Sequence, residues 1–143
     1  MAGARLGFGI ACPDLIRDMN TVKYSTNPYN VNSMTMAAGI GALSCEDYTR
    51  KNCQTVVENR AFCTDAMQKL GFEMTDSKTN FIFAKHPKID GGVLYAKLRE
   101  RGILVRHFTN PLIAQYNRIT VGTKEQMQAL IDAVADILEE NKQ

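Results

Sequence analysis

The spacing of apolar positions changes along this chain, and the changes mark its elements. Residues 5–11 (RLGFGIA) form a short apolar run that reads as a buried strand. Pro13 then suits the first turn of a short helix, where its missing N–H costs little, and Asp14 favours the positive helix start. Ser25-Thr26-Asn27-Pro28-Tyr29-Asn30 is dense in turn formers and predicts a loop. Asn32 or Ser33 can cap the next helix, which carries Met36, Ala37, Ile40 and Leu43. A longer helix is predicted over 46–70. Its apolar positions Cys53, Val56, Val57, Cys63, Met67 and Leu70 lie near helical spacing, and Gly71 supplies the stop.

Beyond Gly71 the pattern shortens. Asn80-Phe81-Ile82-Phe83-Ala84, Ile103-Leu104-Val105 and Ile119-Thr120-Val121 read as strands. A helix over 92–100 separates the first two, with Leu94 and Leu98 one turn apart and Gly102 ending it. Thr123 and Gln126 fit a capping box for the last helix, whose stripe is Met127, Leu130, Ile131, Val134 and Leu138; the tail 139–143 reads as solvated. A strand and helices followed by a strand–helix–strand–strand–helix unit predict an α+β layer, helices against one face of a sheet. The change in organisation near Glu46 divides 1–45 from 46–143, with the long helix as connection.

Composition narrows the function classes. A chain of 143 residues suits one domain, or one domain with part of another. Net charge is +2, from 17 basic and 15 acidic residues, too balanced to point to nucleic acid or a membrane surface. The apolar runs fall far short of the roughly 20 residues needed to span a bilayer. No basic start followed by an apolar core marks a signal peptide, so a cytoplasmic location is expected. Cys12, Cys45, Cys53 and Cys63 form no CxxC, and His86 and His107 are the only histidines. We expect reduced thiols, mostly small buried hydrophobes, and no metal site.

Three arginines stand out by position. Arg5 begins the first strand, Arg106 ends 103–105, and Arg118 begins 119–121. The guanidinium fork grips carboxylates and phosphates through two parallel hydrogen bonds. Arginines at such places also simply reach from a sheet edge into water, and position alone leaves both readings open. Asn80, Tyr29 and Asn30 read on their own as caps or turn braces. His107 reads as strand-end surface. Gly7 and Gly9, inside a strand pattern, mark a bulge or a close backbone approach.

Taken in order, several segments resemble one family. Ala2-Gly3-Ala4-Arg5-Leu6-Gly7-Phe8-Gly9-Ile10-Ala11 and Pro28-Tyr29-Asn30-Val31-Asn32 come first. Ser77-Lys78-Thr79-Asn80-Phe81, Gly102-Ile103-Leu104-Val105-Arg106 and Arg118-Ile119-Thr120-Val121-Gly122-Thr123 follow. The series is similar to the histidinol-phosphate aminotransferase branch of the fold-type I pyridoxal-phosphate (PLP) enzymes. It covers essentially the whole chain. The fold implied is the C-terminal small α+β domain of such an enzyme (46–143), preceded by a remnant of the large PLP-binding α/β domain (1–45).

The resemblance assigns roles that the residues alone leave open. Arg5 matches the arginine that binds the cofactor phosphate. Arg118 matches the arginine that grips the acidic end of the substrate, and Arg106 a second arginine in that pocket. Asn80 falls on a motif asparagine near the substrate, and Tyr29 and Asn30 on a loop at the active-site entrance near a homodimer interface. The reaction implied passes the amino group of histidinol phosphate to 2-oxoglutarate. The family's Schiff-base lysine belongs a few residues before Ala-Gly-x-Arg, and Lys23 does not match it. We therefore expect the C-terminal part of an aminotransferase that has no catalytic residue of its own, binds no PLP alone and does not transaminate alone. Residues 1–45 are expected to pack irregularly or against another copy. Other readings are a non-enzymatic small-anion-binding module, and a parent that is an aromatic aminotransferase or a related PLP-dependent decarboxylase.

Overall fold

Antiparallel pairing organises the second half of the chain in the computed structural model, which describes residues 2–141. Strand β1 (Glu73–Met74) pairs with β2 (Phe81–Lys85), β2 with β4 (Asn117–Thr120), and β4 with β3 (Arg106–His107), giving the order β1-β2-β4-β3. Helix α4 (Gly91–Glu100) joins β2 to β3, and α5 (Lys124–Glu140) follows β4. Upstream lie a 3-10 turn (Ala2–Ala4), α1 (Pro13–Thr26), α2 (Ser33–Ser44) and α3 (Glu46–Lys69). The chain forms two compact units that divide between Arg50 and Lys51, within α3.

The second unit has the α+β layering that the pattern predicts. Alternate residues of β2 and β4 point to opposite faces, and Ile82, Ala84, Asn117 and Ile119 are the buried ones. They meet Cys63 and Met67 of α3, Leu94 and Leu98 of α4, and Met127, Leu130, Val134 and Ile137 of α5 in one core. Both halves of the α5 capping box form: Thr123 accepts from the Gln126 N–H, and the Gln126 side chain accepts from the Thr123 N–H. Gly71 ends α3 in the left-handed region (φ 91), where a side chain would be strained. Asn59, nearly buried on α3, donates from Nδ2 to the Gly122 carbonyl at 2.9 Å and ties the helix to the end of β4.

Several expectations need correction here. Residues 103–105 are not a strand; Arg106 opens β3 instead of closing one, and Asn117 precedes Arg118 in β4. Strand β1 is two residues long, too short for an alternation to show. Asp90 caps α4 by accepting from the Gly92 and Val93 N–H groups, so the helix begins one residue before its predicted start. On α5, Ala133 and Ile137 are buried while Ile131 and Leu138 are half-buried. Glu139 and Glu140 belong to α5, and Glu140 pairs with Lys97 and Arg101; Lys142 and Gln143 lie outside the described residues. On α3, Cys53 and Val57 are exposed.

The first unit departs further. Residues 5–11 form no strand: a strand needs a neighbour's ladder, and no strand exists among residues 2–50 to supply one. Phe8 and Ile10 are 82% and 90% exposed. Helix α1 buries no residue, extends through Thr26 and leaves the loop to begin at Asn27. Asn32 caps α2 through the Thr35 N–H, yet α2 buries only Thr35 and Gly39, while Met36, Ile40 and Leu43 are exposed. The end of the Leu6 side chain lies against Gly39, in the space a Cβ there would need. Of the four cysteines only Cys63 is buried, correcting the expectation of mostly buried thiols.

Candidate functional site: an arginine pair on an aromatic sheet face

The register of β3 and β4 sets Arg106 directly opposite Arg118, and that of β2 and β4 sets Phe83 opposite Arg118. Side-chain alternation puts all three on the sheet face turned away from the helices. Phe81 and Thr120 form the next pair on that face. Both arginines are exposed, and among the described residues neither has a carboxylate partner. Like charges directly opposite one another across a ladder are destabilising. Such an uncompensated pair favours an anion.

Aromatic rings surround the pair. The Arg106 guanidinium lies 5.6 Å from the Phe108 ring centre and that of Arg118 lies 5.3 Å from Phe81. Phe83 stacks on Tyr116, with centres 4.5 Å apart and planes 8° from parallel, and meets Phe108 edge-on at 6.0 Å. Lys85, further along β2, lies 5.5 Å from the Tyr116 ring centre. It differs from the arginines in having an acidic partner, Glu73, at 2.8 Å. That bond and the attraction of the Glu73 charge hold the Lys85 ammonium above its ordinary value.

On the opposite face the same strands carry a polar bracket. Asn117 is fully buried and donates from Nδ2 to the Gly91 carbonyl at 2.9 Å. Gln115 Nε2 donates to Asp90 Oδ2 at 3.0 Å. The Val93 N–H, the Gln115 amide and the Gly92 N–H hold the Asp90 carboxyl below its ordinary range. His107 stacks on Tyr95 with ring centres 5.7 Å apart. Its Nδ1 and Asn117 Oδ1 are buried without a hydrogen-bond partner, which corrects the reading of His107 as plain strand-end surface. His107 and Asn117 lie opposite each other across the ladder. The bracket fixes the strands that present the arginines.

The remaining expected site residues fall as follows. Asn80 is exposed at the mouth of β2, where its carbonyl accepts from the Val121 N–H at 2.9 Å. Arg5, Tyr29 and Asn30 belong to the first unit, and all three are exposed. Arg5 adopts a left-handed backbone (φ 57). That conformation costs a bulky side chain about 1–3 kcal/mol, and such strain concentrates at functional positions. Lys23 lies over the Tyr24 ring, 5.6 Å from its centre. Sequence reasoning missed the rings around the arginines. Their signal was the spacing of two in Phe81/Phe83, Arg106/Phe108 and Tyr116/Arg118. Among the described residues no group of His, Cys, Asp and Glu has metal-binding geometry, and no helix is long and apolar enough to cross a membrane.

The second unit is in class a small antiparallel α+β unit, and one face of its sheet bears an exposed arginine pair. Comparison with known proteins sharpens the class: the chain belongs to the class I and II aminotransferase family, whose model matches residues 1–134. Histidinol-phosphate aminotransferase 1 of Pseudomonas fluorescens is 42% identical over 137 residues, covering 96% of this chain and 39% of that protein. The histidinol-phosphate aminotransferase of Aromatoleum aromaticum is likewise 42% identical, over 138 residues. The chain thus spans about two fifths of the length of these relatives. Among solved structures, histidinol-phosphate aminotransferase from Sinorhizobium meliloti in complex with pyridoxal-5'-phosphate superposes on 98% of this chain with a TM-score of 0.80. At 21% identity it shows the shared fold, and the chain covers 38% of it.

Proposed function

We propose that this chain is the C-terminal part of a PLP-dependent histidinol-phosphate aminotransferase, and that the Arg106–Arg118 pair is its substrate-phosphate site. The observation that carries the reading is the cross-strand pairing of two exposed arginines that lack an acidic partner among the described residues. A phosphate monoester matches their combined charge better than a lone carboxylate does. The relatives, histidinol-phosphate aminotransferases, support the same substrate.

On this reading residues 46–143 are the small domain and 1–45 belong to the large PLP-binding domain. Arg5 suits the cofactor phosphate: its guanidinium is exposed, and among the described residues it has no competing carboxylate. When bound, PLP supplies the electron sink for amino transfer. Arg106 and Arg118 hold the substrate's phosphate, or an acidic end of glutamate and 2-oxoglutarate. Asn80 stands beside the substrate, and Tyr29 and Asn30 line the entrance near the interface of a homodimer. Lys23 does not match the motif of the family's Schiff-base lysine, so the proton-shuttling lysine is assigned to the remaining three fifths of the relatives' length.

The test is to mix the chain with PLP, reduce with borohydride and assay amino transfer from histidinol phosphate to 2-oxoglutarate. No stoichiometric pyridoxyl-lysine and no turnover are expected. A stoichiometric adduct with turnover would overturn this division of labour.

A further inference from the structure

Lys85 and the two arginines share one sheet face but are held in different ways. Lys85 is held by a carboxylate, which cancels its charge; Arg106 and Arg118 are held by rings, which do not. A ring face attracts a guanidinium and orients its plane, while leaving the full positive charge and the N–H donors for a ligand. Phe108 is itself braced, meeting Phe83 edge-on, and Phe83 is stacked on Tyr116. Phe81 sits in β2, its backbone fixed opposite Thr120.

We infer that Phe108 and Phe81 are positioning residues for the anion site, each holding its own arginine, Arg106 or Arg118, over a ring face without neutralising it. The inference rests on the reading of the arginine pair as an anion site. An acidic residue at either place would orient the arginine equally well and remove the charge that binds. An aliphatic one would leave the charge and lose the orientation.

The experiment titrates inorganic phosphate into the chain and into Phe108→Leu, Phe108→Trp and Phe81→Leu, following the arginine Nε–H signals by NMR. Before phosphate is added, Phe108→Leu should move the Arg106 signal towards that of a free arginine, because the ring-current shift is lost. Phosphate affinity should fall about two- to fivefold, the worth of an exposed cation–π contact, and Phe108→Trp should restore both readouts. Phe81→Leu should do the same to Arg118, and it keeps the test open if the Phe108 variant fails to fold. An unmoved arginine signal with wild-type affinity in the leucine variants overturns the positioning role. No phosphate binding by the parent chain overturns the anion reading instead, while the shift before titration still reports whether the rings hold the arginines.

Discussion

Gly91 and Gly92 open α4 side by side, and alanine at each separates close packing from helix propensity. At 91 a Cβ would lie 2.5 Å from the Ala114 carbonyl oxygen and 2.7 Å from the carbonyl carbon and oxygen of Gln115. These are backbone atoms, so relief requires the segment before β4 to move. The movement pulls on the Asn117–Gly91 bond at 2.9 Å and the Gln115–Asp90 bond at 3.0 Å. Overpacking costs about 1–3 kcal/mol, and weakening a buried hydrogen bond adds about 1 kcal/mol. Replacing glycine in a helix returns at most about 1 kcal/mol. The net loss is about 2 kcal/mol, or a fall of roughly 8–16 °C in the melting temperature of a unit this size. At 92 the nearest atoms are side-chain atoms, Asp90 Oδ1 at 3.1 Å and His107 Nε2 at 3.5 Å. Gly92→Ala should therefore be neutral or stabilising. Thermal and urea unfolding of the two variants beside the parent decide it. Equal midpoints for both would refute the packing argument.

Burial predicts thiol reactivity: with a disulfide reagent at pH 8, Cys12, Cys45 and Cys53 should react quickly, while Cys63, pushed up to about 11, waits for unfolding. Immediate reaction of all four would contradict the core. Leu98 is fully buried, so Leu98→Ala should cost about 2–5 kcal/mol in urea unfolding, and a loss well below that range would place it outside the core. Asp90 is held below its ordinary value, so its stabilising contribution is full above the ordinary aspartate range and is lost as pH falls through the depressed folded value. Asp90→Asn should remove that part of the acid-side decline, and an unchanged pH profile would argue against the cap.

The sequence pattern announced the elements whose own residues close them. Thr123 and Gln126 satisfy each other, and Asn32 meets a donor three residues on, so both caps were legible locally. Strand 81–84 was legible because its apolar run is buried in alternation. Residues 5–11 show the limit: an apolar run states a tendency to pair, and pairing depends on a neighbour elsewhere. The site was half legible. Arg106 and Arg118 were singled out at supposed strand ends, but their opposition is a matter of register between segments a dozen residues apart. Neither arginine's neighbours in sequence reveal it. Asn117 was invisible for the same reason, since its side chain bonds the Gly91 carbonyl, 26 residues away.

The central claim is that the arginine pair recognises the phosphate of the substrate, and calorimetric titration of the chain with histidinol phosphate and with histidinol tests it directly. The account predicts that histidinol phosphate binds, that histidinol binds at least tenfold more weakly, that Arg118→Ala shrinks the difference and that Arg106→Ala with Arg118→Ala removes it; ten- and hundredfold discrimination correspond to about 1.4 and 2.7 kcal/mol. Equal affinity for the two compounds, or a double variant that still tells them apart, would contradict it.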